Sequence, residues 1–175
     1  MKLLSRTDLS GMECRALFSE CEAYRYTLTW RWARDPLLIA WMLNPSTATH
    51  EALDNTVSGL IKRARVWGLG GVRVINLFAF RATEPADMKR AKDPVGPEND
   101  RCTLEILREA KADGDRVVCA WGAHGKHKGR DKAALGLAAG VGIQLHAFQI
   151  NDDGSPKHPL YIAHEVEPQL WRMAA

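Results

Sequence analysis

The sequence predicts an α/β protein, a three-layer α/β/α sandwich around a central, mainly parallel four-stranded sheet, with one extra strand at the N-terminus. Two observations lead there. Apolar runs recur, each stopping at a polar tip: PLLIAWMLNPSTA from Pro36 to Ala48, VRVINLFAF at Asn76, RVVCAWG at Gly122, and the Lys157-His158-Pro159 segment after the run from Ile143. Between the first two runs Val57, Leu60, Ile61 and Ala64 recur at helical spacing, and a strand, helix, strand crossover favours parallel pairing. Parallel strands bring their C-terminal tips to one rim, where open α/β sheets hold ligands.

Taken in order, residues 1–20 mix charged and apolar side chains and read as a short arm or helix. Tyr24 to Trp32 is rich in aromatic and β-branched residues, an antiparallel strand near an edge, broken by Asp35-Pro36. After the first parallel strand and its NPSTA turn, Asp54 caps a helix running to about Trp67, with Lys62, Arg63 and Arg65 on its polar side. Gly68, Gly70 and Gly71 end that helix and release a strand from Val72 to Phe80. Residues 81–100 form a long, proline-containing loop of the kind that carries function. A helix from about Asn99 to Ala112, a strand from Arg116 to Trp121, a helix from Ala133 to Ala139, a strand from Ile143 to Phe148 and a short helix from Val166 to Met173 complete the chain.

Composition bounds the answer. The 175 residues, 46% of them hydrophobic, make one domain, with residues 1–35 as its N-terminal arm and edge strand. A net charge of +3 permits an anionic partner without requiring one. No apolar run approaches a membrane span and MKLLSRTDLSG lacks a signal-peptide core, so a cytoplasmic protein is expected. Cys14, Cys21, Cys102 and Cys119 form no C-x-x-C pair and read as reduced thiols, Cys119 within an apolar run.

The rim carries the chemistry. Asn44, locked before Pro45, is placed either to position a water or a sugar or simply to cap a turn. Asn76 offers a donor pair and an acceptor, the complement of a nucleobase edge, or else ties down its own loop. His158 before Pro159 can donate to a developing oxyanion. The loop from His124 to Arg130 sets basic side chains at a helix start, a phosphate-binding arrangement or a solvated basic loop. No histidine pair has a zinc-like companion ligand, so no metal is expected, nor any other cofactor. Ser46 lacks the flanking glycines of a nucleophile elbow, and the glycines at 68, 70 and 71 precede a strand, which excludes a dinucleotide fingerprint.

In this order the motifs resemble the uracil-DNA glycosylase superfamily: Met42-Leu43-Asn44-Pro45-Ser46, Val74-Ile75-Asn76-Leu77, the loop Trp121-Gly122-Ala123-His124-Gly125-Lys126-His127-Lys128-Gly129, and Lys157-His158-Pro159-Leu160, a reduced H-P-S-P. The chain also resembles an uncharacterised bacterial and phage group with N-P-S-T-A and H-P-L-Y segments. What the superfamily resemblance implies is hydrolysis of the N-glycosidic bond of a flipped-out base, modified or unmodified, by water attack. Asn44 and His158 would be catalytic, and Asn76 and Phe78 would recognise the base. Ser46, Thr47, Lys126, Lys128 and Arg130 would contact phosphate, and Leu160 or Tyr161 would act as the wedge. The implied partner is DNA, single- or double-stranded, with the chain a monomer and no membrane involved. Some members hold an iron–sulfur cluster through four cysteines, a role for which Cys14, Cys21, Cys102 and Cys119 are the candidates here. Ser46 in place of Gly or Tyr, and a missing H-P-S-P serine, depart from the pattern. The alternatives are a non-catalytic nucleic-acid or nucleotide binding module and a hydrolase of free nucleosides or nucleotides.

Overall fold

A computed structural model describes residues 1–46 and 54–172. Its first three strands, β1 (Lys2–Thr7), β2 (Glu13–Phe18) and β3 (Arg25–Arg31), form an antiparallel meander. The expected arm or helix at the N-terminus is thus a hairpin. The mixture of charged and apolar residues there is the two-residue alternation of a half-covered strand: Cys14, Ala16 and Phe18 are buried while Arg15 between them is exposed. Asp8 closes the hairpin by accepting from the Ser10 and Met12 amides at 2.9 and 3.0 Å.

Next come β4 (Leu37–Met42), α1 (Asn55–Val66), β5 (Gly71–Asn76), α2 (Pro85–Arg90), α3 (Asn99–Asp113), β6 (Arg116–Cys119), α4 (Arg130–Val141), β7 (Leu145–Ala147) and β8 (Gln169–Leu170). The strands join one sheet in the order β1-β2-β3-β5-β4-β6-β7-β8. The pairs β5–β4, β4–β6 and β6–β7 are parallel and all others antiparallel. This eight-stranded mixed sheet, with four α-helices among the described residues, overturns the expected three-layer sandwich on a four-stranded, mainly parallel sheet with one extra strand. The reason lies in β3: its far edge pairs with β2, so the meander extends the sheet rather than standing beside it.

β4 is buried on both sides. Leu38, Ala40 and Met42 pack with Val57, Leu60, Ile61 and Ala64 of α1, and Leu37, Ile39 and Trp41 pack with Ile106 and Leu107 of α3 and Ala134 and Ala138 of α4. Burying each such Leu or Ile contributes about 1.5–3 kcal/mol. At Gly71 an added Cβ would lie 2.5 Å from the Trp30 carbonyl oxygen, so the close approach of β3 and β5 needs glycine there.

Three further expectations are corrected. Arg63, placed by its period on the polar side of α1, is 2% exposed. Its Nη2 donates to the Ile162 and Ala163 carbonyls at 2.5 and 3.1 Å while its guanidinium lies over Phe148, which explains the burial of a charge. The helix expected over Val166 to Met173 is instead the edge strand β8, because Pro168 bars helical backbone from the residue before it; Met173 lies outside the described residues. The proline-containing segment from 81 to 100 holds the short helix α2 rather than being loop throughout.

Candidate functional site

The sheet brings the ends of β4, β5 and β6 to one rim, and the segment Ser155–Ile162 returns to it. There a cavity of about 450 Å³ is lined by Asn44, Asn76 and His158 together, with Arg25, Asp54 and Tyr161 among the other walls. Cavities of about 490 and 470 Å³ lie elsewhere, one over the sheet face of Arg15, Arg31 and Arg73 and one between Trp121, Lys126 and Trp171. What sets the rim cavity apart is an unsatisfied polar group in its wall.

That group is Asn76. It is 1% exposed, and neither its Oδ1 nor its Nδ2 has a hydrogen-bond partner among the described residues. Leaving a buried amide unpaired costs about 1–3 kcal/mol for each lost partner. Its backbone, by contrast, is firmly held. β4 pairs Met42 with Asn76, and Asn99 at the start of α3 donates to the Asn76 and Leu77 carbonyls.

Asn44 sits where β4 ends, half-buried, with Nδ2 donating to the Pro45 and Ala82 carbonyls at 3.1 and 2.7 Å. The two amide hydrogens are therefore consumed in fixing the turn, and Oδ1 alone is left as a functional acceptor. Asp54 does double duty: Oδ1 caps α1 through the Val57 amide at 2.7 Å, and Oδ2 accepts from Ser46 Oγ at 3.3 Å.

His158 is half-buried beside Tyr161, ring centroids 6.2 Å apart. Its Nδ1 accepts from the Leu160 amide at 3.3 Å, which puts the proton of a neutral ring on Nε2. Burial pushes its pKa below 6.5, against a smaller opposing pull from Asp54, so the ring is a neutral donor at physiological pH. Arg63 of α1 anchors the far end of this segment through Ile162 and Ala163.

Several expected site residues go elsewhere. Phe78 is fully buried in the core under α3 and α4, its ring 5.7 Å from His127, and does not line the cavity, so it cannot stack on a base there. Arg130 is buried, donating from both terminal nitrogens to Asp100 and from Nε to the Leu77 carbonyl, which replaces the phosphate role expected of it. Lys126 is paired with Asp153 at 3.1 Å and faces the neighbouring cavity, and Lys128 is exposed in left-handed backbone at φ 53. Ser46 lines the rim cavity, and Thr47 lies outside the described residues. Of the two wedge candidates, Leu160 is exposed and Tyr161, 74% exposed, stands at the cavity wall.

The four cysteines do not converge. Cys14 packs on the α1 face of the sheet, Cys119 on the opposite face, Cys102 beside Tyr26 and Ala79, and Cys21 is exposed. A cluster joining them is thereby ruled out by placement. No group of three or more metal-ligating side chains occurs among the described residues. No helix among them is long and apolar enough to cross a membrane.

Reasoning from sequence missed Arg25, Asp54 as a wall residue, and Asn99. Arg25 is 3% exposed on β3, with its pKa drawn down to about 10 by burial and by Arg81. An arginine opening an aromatic strand carries no signal of burial. Asp54 was legible only as a helix cap.

A family model described as "Protein of unknown function (DUF1643)" matches residues 25–160, a span that takes in every wall residue named above except Tyr161. No curated protein matches. Among solved structures, the hetero-hexameric glutamate dehydrogenase from Thermus thermophilus in its Leu-bound form is similar at 15% identity with a TM-score of 0.31. That likeness covers 79% of this chain and 30% of the dehydrogenase chain, and it is too slight to bear on fold or function.

Proposed function

The chain belongs to the DUF1643 family of proteins of unknown function, and from its rim cavity we propose that it hydrolyses the N-glycosidic bond of a flipped-out, modified base in DNA. The observation that carries this reading is the unpartnered carboxamide of Asn76 in the same cavity as Asn44 and His158. A protein retains such a cost where a ligand offsets it, and a nucleobase edge presents the donor and acceptor that a carboxamide lacks here.

In this reading the base enters against Asn76, shielded from water so that each hydrogen bond counts more than it would in solvent. Asn44 Oδ1, its direction set by the two bonds from Nδ2, accepts from the attacking water. Breaking the glycosidic bond leaves the electron pair on the base. His158 Nε2–H donates to the charge that develops there, and Nδ1 is held by the Leu160 amide. Tyr161 at the mouth fills the space vacated in the duplex, offsetting part of the few kcal/mol that flipping costs. The place of action in this reading is the cytoplasm, in keeping with four free thiols.

The test is a mass-spectrometric screen for bases released from DNAs of varied modification, single- and double-stranded, with Asn44→Ala and His158→Ala as controls. Release that both variants abolish supports the reading. One observation favours a second: because the Asn44 amide is already spent on Pro45 and Ala82, the same cavity suits a module that binds a base without cleaving it. Binding of a modified DNA with no release from any substrate selects that second reading.

A further inference from the structure

We propose that the cavity at the start of α4 is a second ligand site, one that takes an organic cation: an ammonium or guanidinium group on an apolar body, held by the carboxylate of Asp131 against Trp121 and Trp171. This site stands apart from the rim cavity, although Trp121 lines both.

The cavity has a volume of about 470 Å³, and distant parts of the chain wall it. Trp121 follows β6, Asp131 and Lys132 belong to the first turn of α4, residues 153–156 cross beside them, and Trp171 follows β8. The two indoles meet edge to face, ring centroids 5.7 Å apart and planes at 74°, and Pro156 extends the apolar wall. Trp171 is fixed there by its amide, which donates to the Leu145 carbonyl at 2.8 Å. Apolar and aromatic walls with a few convergent polar groups are the usual make-up of a small-molecule site.

Asp131 decides which molecule fits. A carboxylate in the first turn of a helix gains from the positive end of the dipole while standing in solvent, but this one is 6% exposed. Among the described residues its one hydrogen bond comes from the Lys132 amide to Oδ1, at 2.8 Å, which leaves Oδ2 without a donor. The neighbouring Arg130 does not supply one, since its guanidinium bonds to Asp100 and to the Leu77 carbonyl. A buried carboxylate with a single bond is costly, and a charged donor on a ligand offsets that cost.

The other charges of the cavity do not compete for this role. Asp153 accepts from the Ser155 amide and hydroxyl and pairs with Lys126 at 3.1 Å, so that carboxylate and that ammonium largely cancel. Lys132 is the remaining cation; it is exposed, and solvent and salt screen it, whereas Asp131 is withdrawn from both. The interior is therefore negative at the carboxylate, and indole rings attract cations through their π faces.

Calorimetric titration of the whole protein with benzylamine, benzyl alcohol, benzoate and methylammonium tests this. In the wild type benzylamine is expected to bind about tenfold tighter than benzyl alcohol, the size of one hydrogen bond to a charged group. It should also bind tighter than methylammonium, which has no apolar body. Asp131→Asn keeps an acceptor for the Lys132 amide and removes the charge, so it should bring benzylamine down to the level of benzyl alcohol. Lys132→Gln should leave benzylamine binding unchanged or tighten it by up to about threefold, the size of a surface charge effect. The comparison of probes on the wild type stands even if a variant fails to fold. Equal binding of benzylamine and benzyl alcohol overturns the cation site, and so does a preference for benzoate, which would hand the cavity to its lysines. A preference for benzylamine that survives Asp131→Asn places the cation elsewhere and also overturns it. Methylammonium binding as tightly as benzylamine removes the indoles from the site, and absence of binding by every probe at millimolar concentration refutes the whole. None of these outcomes touches the rim cavity, whose own test is the release of bases.

Discussion

Asn99 Nδ2 donates to the backbone carbonyl of Asn76 at 3.1 Å and to that of Leu77 at the same distance, so one buried amide from α3 clamps the strand end whose own side chain is left unpaired. Rigid backbone and unsatisfied carboxamide meet at one residue. That combination suits a group waiting for a ligand, because it is held in place before the ligand arrives.

Replacing Asn99 by Ala removes both donations. Leu77 O still accepts from Arg130 Nε, whereas Asn76 O loses its α3 partner. Urea denaturation should show a loss of about 1–3 kcal/mol, the cost of a buried acceptor left unpaired. Base release or binding should fall with it. A stability unchanged within a few tenths of a kcal/mol would contradict the clamp.

Asn76→Leu should behave in the opposite way. Exchanging an unpartnered buried amide for an apolar side chain of similar size relieves desolvation, so the protein should hold its stability or gain about 1 kcal/mol while losing ligand binding. Thermal melting and titration on the same preparation decide the matter. Loss of 2 kcal/mol or more would mean that the carboxamide serves the fold.

Arg63→Met keeps the stem over Phe148 and deletes the bonds to Ile162 and Ala163. The expected cost is about 2–4 kcal/mol, two charge-assisted bonds less the regained desolvation of the guanidinium. Since the anchored segment carries His158, activity should drop further than stability alone explains. Limited proteolysis within 155–163 should speed up in the variant.

Stability should fall as pH drops below 6.5. Burial holds the folded-state pKa of both His146 and His158 under that value, so between the folded and unfolded pKa values the unfolded chain binds more protons. Their contribution is fully present above 6.5 and is lost progressively on acidification, down to the folded pKa values. Denaturation midpoints across pH 5 to 8 should show this slope, shallower in His158→Gln and shallower again when His146→Gln is added. A midpoint insensitive to pH in the double variant and in the wild type alike would refute the assignment.

Some of this was legible in the sequence, and particular residues show why. The polar tips at Asn44, Asn76 and His158 line one cavity because each ends or follows an apolar run, and a run-to-tip change is a local signal. The cap at Asp54 and the apolar stripe of α1 are local too. Arg63 and Arg25 were not readable, since their surroundings come from distant parts of the chain, Ile162 at 99 positions in one case and Asp54 and Arg81 in the other. The N-terminal hairpin escaped because Lys2, Arg6, Glu13 and Arg15 mask the alternation that Cys14, Ala16 and Phe18 carry. Where Asn44 spends its amide hydrogens was equally hidden, because Ala82 meets it only after β5 is in place.

The meander has a consequence for synthesis. Pairings of β1 with β2 and of β2 with β3 span short stretches of chain, so they can close as soon as residue 31 has emerged. The outer edge of β3, with Leu28 and Trp30 bound for the core, then waits for Gly71–Asn76 to emerge before it has a neighbour. During that interval the nascent chain displays an unpaired, apolar strand edge. Slowing translation after β3 has emerged from the ribosome and before β5 has should therefore lengthen the period of greatest aggregation risk, and the same delay placed after β5 has emerged should not.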